Sequence, residues 1–124
     1  MARLTRGLGV LVSLLVASAA LSSCGTGAAV ADARLSCRSV HLALHLQARS
    51  QAPGLSAARR RALQSDAMSA LLKATPPAAA ATSLDGSWNP LMTTINEAER
   101  VPLENLVPSL TRLCKVADST TPYL

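Results

Sequence analysis

With 124 residues, part of them an N-terminal targeting stretch, the chain leaves about 100 for one compact domain around one core. Apolar residues make up 49%, yet there is no Phe, one Trp and one Tyr, so the core must be built from Leu, Ala and Val, which favours helices over sheets. The formal charge of +5 falls to +3 once Arg3 and Arg6 are set aside, too mild for a nucleic-acid-binding protein, whose surface carries a denser basic stripe with interleaved aromatics.

Residues 1–23 have the layout of an export signal: a basic start with Arg3 and Arg6, an apolar run from Leu8 to Leu21, then small residues. The run is shorter than the ~20 residues a membrane-spanning helix needs, so the sequence predicts a cleaved signal. No Arg-Arg pair is present in this stretch, which points to the general secretory route. Abundant Ala and Arg with little Lys is the composition of a high-GC genome.

Leu21-Ser22-Ser23-Cys24, directly after the apolar run, resembles the lipobox of bacterial lipoproteins at all four positions: Leu, two small residues and Cys. The resemblance implies cleavage before Cys24, a diacylglyceryl group on its sulfur and attachment to the outer side of the cell membrane. It covers the first 24 residues and says nothing of the domain behind them. Ala29-Val30-Ala31 is an acceptable site for ordinary signal peptidase, and Ala17-Ser18-Ala19 a weaker one; cleavage after Ala31 would discard Cys24 and release a secreted protein. The spacer from Leu21 to Ala31 is long for such a signal, and Cys24 stands where a lipobox should, so lipidation at Cys24 is the leading expectation.

Residues 24–27 read as a short tether, 28–118 as a helical domain and 119–124 as a loose tail. The first helix is predicted from about Ala28 to Gln51, with Val30, Ala33, Cys37, Val40, Leu44 and Ala48 on one stripe and Leu35, Leu42 and Leu46 on the other side, a pattern that suggests cover on two faces. Pro53-Gly54 ends it. Ser56 caps a second helix to about Lys73, with Leu63, Ala67, Ala70, Leu71 and Ala74 inward, and Pro76-Pro77 stops it. The stretch from Pro76 to Trp88 reads as the least structured, although its four alanines allow an extra turn. Asn89-Pro90 opens a third helix to about Arg100 with Leu91, Ile95 and Ala98 inward. A fourth starts at Pro102 and carries Leu103, Leu106, Val107, Leu110, Leu113, Cys114 and Ala117, with a kink or restart expected at Pro108.

Cys37 and Cys114 have no CxxC spacing and no neighbouring third ligand, and after export they would share an oxidising compartment, so a disulfide is predicted. Closing so long a loop is worth about 4 kcal/mol on the chain-entropy estimate. An antiparallel bundle with an even number of helices places the late part of its last helix beside the early part of its first, which suits these two positions. The fold class expected is therefore all-α, a small antiparallel four-helix bundle braced by one disulfide.

His41 and His45, four apart, share a helix face as two metal ligands would, but no Glu stands between them, and Asp66 or Glu97 as a third ligand is not indicated by spacing. Flanking histidines at the core's edge are the plainer reading. No G-x-S-x-G elbow, S-x-x-K or phosphate-binding Gly motif occurs, and Glu97, Glu99 and Glu104 read as solvated charges. Arg59-Arg60-Arg61 on a helix would fan across roughly 200° and so form no single basic face. Trp88 reads as packing over the bundle's end, with partner anchoring as the alternative. The sequence thus predicts a non-enzymatic, cofactor-free envelope lipoprotein with one lipidation site, Cys24, held at the membrane by it and working through another envelope protein, without nucleic acid. The other class in view is a carrier of a small ligand, haem or metal between the helices, with His41 and His45 in the site.

Overall fold

The computed structural model describes the backbone of residues 8–119 and the side chains of residues 26–119. Its elements are α1 (Leu8–Ser50), α2 (Ala57–Leu72), α3 (Thr75–Leu84), a 3-10 turn (Gly86–Trp88), α4 (Asn89–Glu97) and α5 (Leu103–Asp118), with no strand among the described residues. The all-α expectation holds, and Cys37 and Cys114 are joined by a disulfide, their Cα atoms 5.4 Å apart. Residues 1–7 of the signal segment, the side chains of the rest of that segment and of Cys24, and the tail beyond Ser119 lie outside the description. The backbone of α1 passes through 24–27.

The spine of the molecule is α1: α2, α3 and α5 pack on it, and α4 bridges α3 and α5. Its buried stripe runs Ala29, Ala33, Cys37, Val40, Ala43, Gln47 and Ser50, at steps of three and four, with Ser36 buried beside Cys37. The expected stripe was turned slightly from this one, since Val30 and Leu44 reach only the margin of the core and Ala48 is exposed. The reason lies in the partners. Ala67, Ala70, Ala74, Ala78 and Ala81 of the α2–α3 segment are buried in the same core, and two helical surfaces of alanine can approach more closely than surfaces of leucine, which leaves no room for Leu on that side. The opposite face is not covered as expected: Leu35 and Leu42 remain 49% and 51% exposed, and of that group only Leu46 packs partly against the core.

Gly54 takes a positive φ of 78° to turn the chain after α1, a conformation open to Gly at little cost. The Ser56 side chain then accepts a hydrogen bond from Arg59 N at 3.1 Å, capping α2 as its sequence position suggests. Pro76-Pro77 does terminate α2, but it also opens α3, correcting the expectation of a loosely structured stretch. Proline lacks only an N–H that the first turn of a helix leaves unpaired anyway, so two prolines at the start cost little while their fixed φ suits the helix. Ala78 and Ala81 then bury against α1. Between the two segments Ser36 Oγ of α1 donates to Ala74 O at 2.8 Å, a buried hydrogen bond at the point where prolines thin out the backbone ladder.

After α3, Asp85 Oδ1 accepts from Ser87 N at 3.0 Å and shapes the 3-10 turn that delivers Trp88 into the core at 1% exposure. Trp88 is thus a core residue and not a partner anchor. Asn89 is already helical and makes no side-chain cap; α4 ends at Glu97, earlier than Arg100, with Leu91 and Ile95 buried and Ala98 partly so. The last helix, α5, runs through Pro108 as one element from Leu103 to Asp118, without a restart, and buries Leu103, Leu106, Leu110, Leu113, Cys114 and Ala117. Val107 stays at the margin.

Candidate functional site

Two features stand out around α1: a fastening to the end of α5 on one flank, and an uncovered outer face. In the fastening, Arg34, Cys37 and His41 follow one another at steps of three and four on α1, and Ala117 and Asp118 lie three and four positions after Cys114 on α5. Helical periodicity places each triple along one side of its helix, and the disulfide sets them in register. Arg34 Nε donates to Ala117 O at 2.8 Å and its Nη2 to Ser119 O at 2.9 Å. A guanidinium thereby satisfies carbonyls that the last turn of α5 leaves without helical partners, at the negative end of the helix dipole. His41 Nε2 lies 2.9 Å from Asp118 Oδ2, with both side chains about half exposed, so the pair adds at most about 1 kcal/mol. Arg34 and Asp118 had drawn no attention in the sequence; the signal was their offset from the paired cysteines, readable only once the helices are set side by side.

The histidines therefore have different surroundings. His41 is engaged with Asp118, while His45 is exposed one turn further along. Glu97 is paired with Arg100 at 2.6 Å, and Asp66 is exposed on α2. Among the described residues no group of three or more His, Cys, Asp or Glu side chains is placed to hold a metal ion. Asp85, at the surface, has its carboxyl held below the ordinary carboxylate range by the hydrogen bonds from Ser87, its backbone amide first.

The outer face of α1 is the second feature. Ala31, Leu35, Arg38, Leu42, His45 and Arg49 recur at steps of four and three, and all are exposed. From Ala33 to Ser65 the chain holds six arginines, Arg34, Arg38, Arg49, Arg59, Arg60 and Arg61, and no Asp or Glu, whereas six of the seven acidic residues fall from Asp66 onward. The mild overall charge conceals this division. Arg59, Arg60 and Arg61 are exposed at the start of α2, where the positive end of the helix dipole disfavours cations, so local stability does not account for them.

Among the described residues no helix is long and apolar enough to cross a membrane. No family model matches the chain, and no curated protein or solved structure matches it either.

Proposed function

We propose that the chain is an exported lipoprotein, anchored through acylated Cys24 on the outer side of the cell membrane, whose helical domain serves as a non-enzymatic interaction or accessory module of the envelope. The observation that carries this reading is the Cys37–Cys114 disulfide, fully buried and joining residues 77 apart. Such a bond persists in an oxidising compartment and not in a reducing cytosol, which agrees with a chain whose first residues read as an export signal. Only Cys24 is then left for other chemistry, and it occupies the lipobox position. An interaction role draws support from the large apolar side chains left at the surface, Leu35, Leu42, Leu72 and Leu84.

The arrangement that best fits the contacts is an antiparallel bundle. Support for this reading comes from the short turn from Gln51 to Ser56, which suits a return of α2 along α1, and from the disulfide, which ties the earlier part of α1's packed region to the later part of α5. With Ala29 the first buried residue among those described, five positions after Cys24, the packed domain would stay within about 18 Å of the membrane even if the residues between were fully extended.

Intact mass of the protein isolated from its own host membranes tests the reading. The expected species begins at Cys24, carries the diacylglyceryl addition and is lighter by the two hydrogens lost in the disulfide. A mature chain beginning at Asp32, in the soluble fraction, would overturn the anchor.

A further inference from the structure

We propose that the outer face of α1 docks flat on anionic lipid headgroups, with Leu35 and Leu42 entering the headgroup layer and Arg38, Arg49 and His45 lying among the phosphates. The inference rests on the anchoring reading above and extends it from a tether to an oriented surface. Three observations carry it. The face has the composition of an interfacial helix: large apolar side chains half exposed, basic ones between them, and no acidic residue from Ala33 to Ser65. It is continuous with the anchor, for Cys24 lies within the bounds of the same helix, eleven residues before Leu35, which is about 17 Å along a helical rise. Its charge also argues against the chief competitor, a second copy of this chain, because a matching face would bring Arg38 and Arg49 toward the same arginines, while Asp118, the carboxylate beside the face, is already engaged by His41.

Lipid accounts for both residue classes at once. Arginine stems cover apolar surface while the guanidinium reaches the phosphate plane, so alternating Leu and Arg along one stripe is no conflict there. Arg34 is not part of the contact, since it is engaged with the carbonyls of Ala117 and Ser119. Each arginine near an anionic surface raises partition by about fivefold, so two act together as a factor of about 25 on top of whatever holds the anchor.

The test uses the full chain reconstituted in vesicles of phosphatidylcholine alone or with phosphatidylglycerol. Hydroxyl-radical footprinting then reads Leu35 and Leu42 on the outer face against exposed Leu72 and Leu84. The expected result is protection of Leu35 and Leu42 that requires phosphatidylglycerol and is lost in the Arg38→Glu/Arg49→Glu variant, with helical content by circular dichroism unchanged. Equal labelling in both vesicle types would overturn the proposal, and so would protection that ignores lipid charge and grows with protein concentration, which would mean self-association. The mass of Cys24 is read on protein from the host, so failure of the anchor and failure of the docking face are seen separately: an unacylated chain that still shows charge-dependent protection loses the first and keeps the second.

Discussion

The two faces of α1 invert the usual order of burial. Inside lie Ala29, Ala33, Ala43, Val40 and the small polar Ser36 and Ser50; outside, two positions along from Ala33, stands Leu35, with Leu42 a further two turns on. Transfer free energy alone would bury the leucines, each worth about 1.5–3 kcal/mol when fully buried, ahead of alanines. The structure shows that fit decides: the α2–α3 segment, bringing Ala67, Ala74, Ala78 and Ala81 toward α1, gains dense contact only against small side chains. What is left outside is then available for a surface role.

The comparison can be broken most severely at the bond that closes it. Replacing both cysteines, Cys37→Ser with Cys114→Ser, is expected to cost about 4 kcal/mol, read as a fall in the urea midpoint with a steeper slope, because the unfolded chain without its cross-link exposes more surface. The next largest effect should come from Ala33→Leu, which overpacks the inner face and is expected to cost about 1–3 kcal/mol. Combining it with Leu35→Ala leaves the composition identical, and thermal melts of this double variant should match the single Ala33→Leu; recovery of stability would show that the leucines' side of α1 was in fact packed. Ser36→Ala removes the hydrogen bond to Ala74 O, with an expected loss of about 1 kcal/mol in chemical denaturation. Smallest of all, Leu35→Ala or Leu42→Ala alone should shift stability by no more than about 0.5 kcal/mol, and a larger loss would mean that the outer face is covered by the protein itself.

How much of this could be read from the residues follows the same division. The stripe of α5 was legible because its leucines stand at helical steps among polar neighbours, and the cysteine pairing because an exported chain leaves two thiols with no other use. On α1 both faces are apolar, so periodicity could not choose between them, and the expected stripe took in Leu44 and Ala48 at the expense of Ala29, Ala43, Gln47 and Ser50. Helix α3 was obscured by reading Pro76-Pro77 only as an end, although proline is equally at home in a first turn. The division of charge at Asp66 lay open to counting, yet the net value and the fan of Arg59, Arg60 and Arg61 drew attention away from it. The contacts of Arg34 with Ala117 and Ser119 depend on how far α1 and α5 slide along each other, which no local pattern reports.

The span of the cross-link also imposes a chronology. α1, α2 and α3 are neighbours along the chain and can assemble within the early, fast phase of folding, whereas Cys114 must wait for the final helix to arrive, and thiol oxidation itself takes seconds or longer. The alanine seam is thus a template that forms first, and the sulfur bridge a latch that closes last. During that interval the Cys37 thiol stands on the template's inner surface, waiting for its partner.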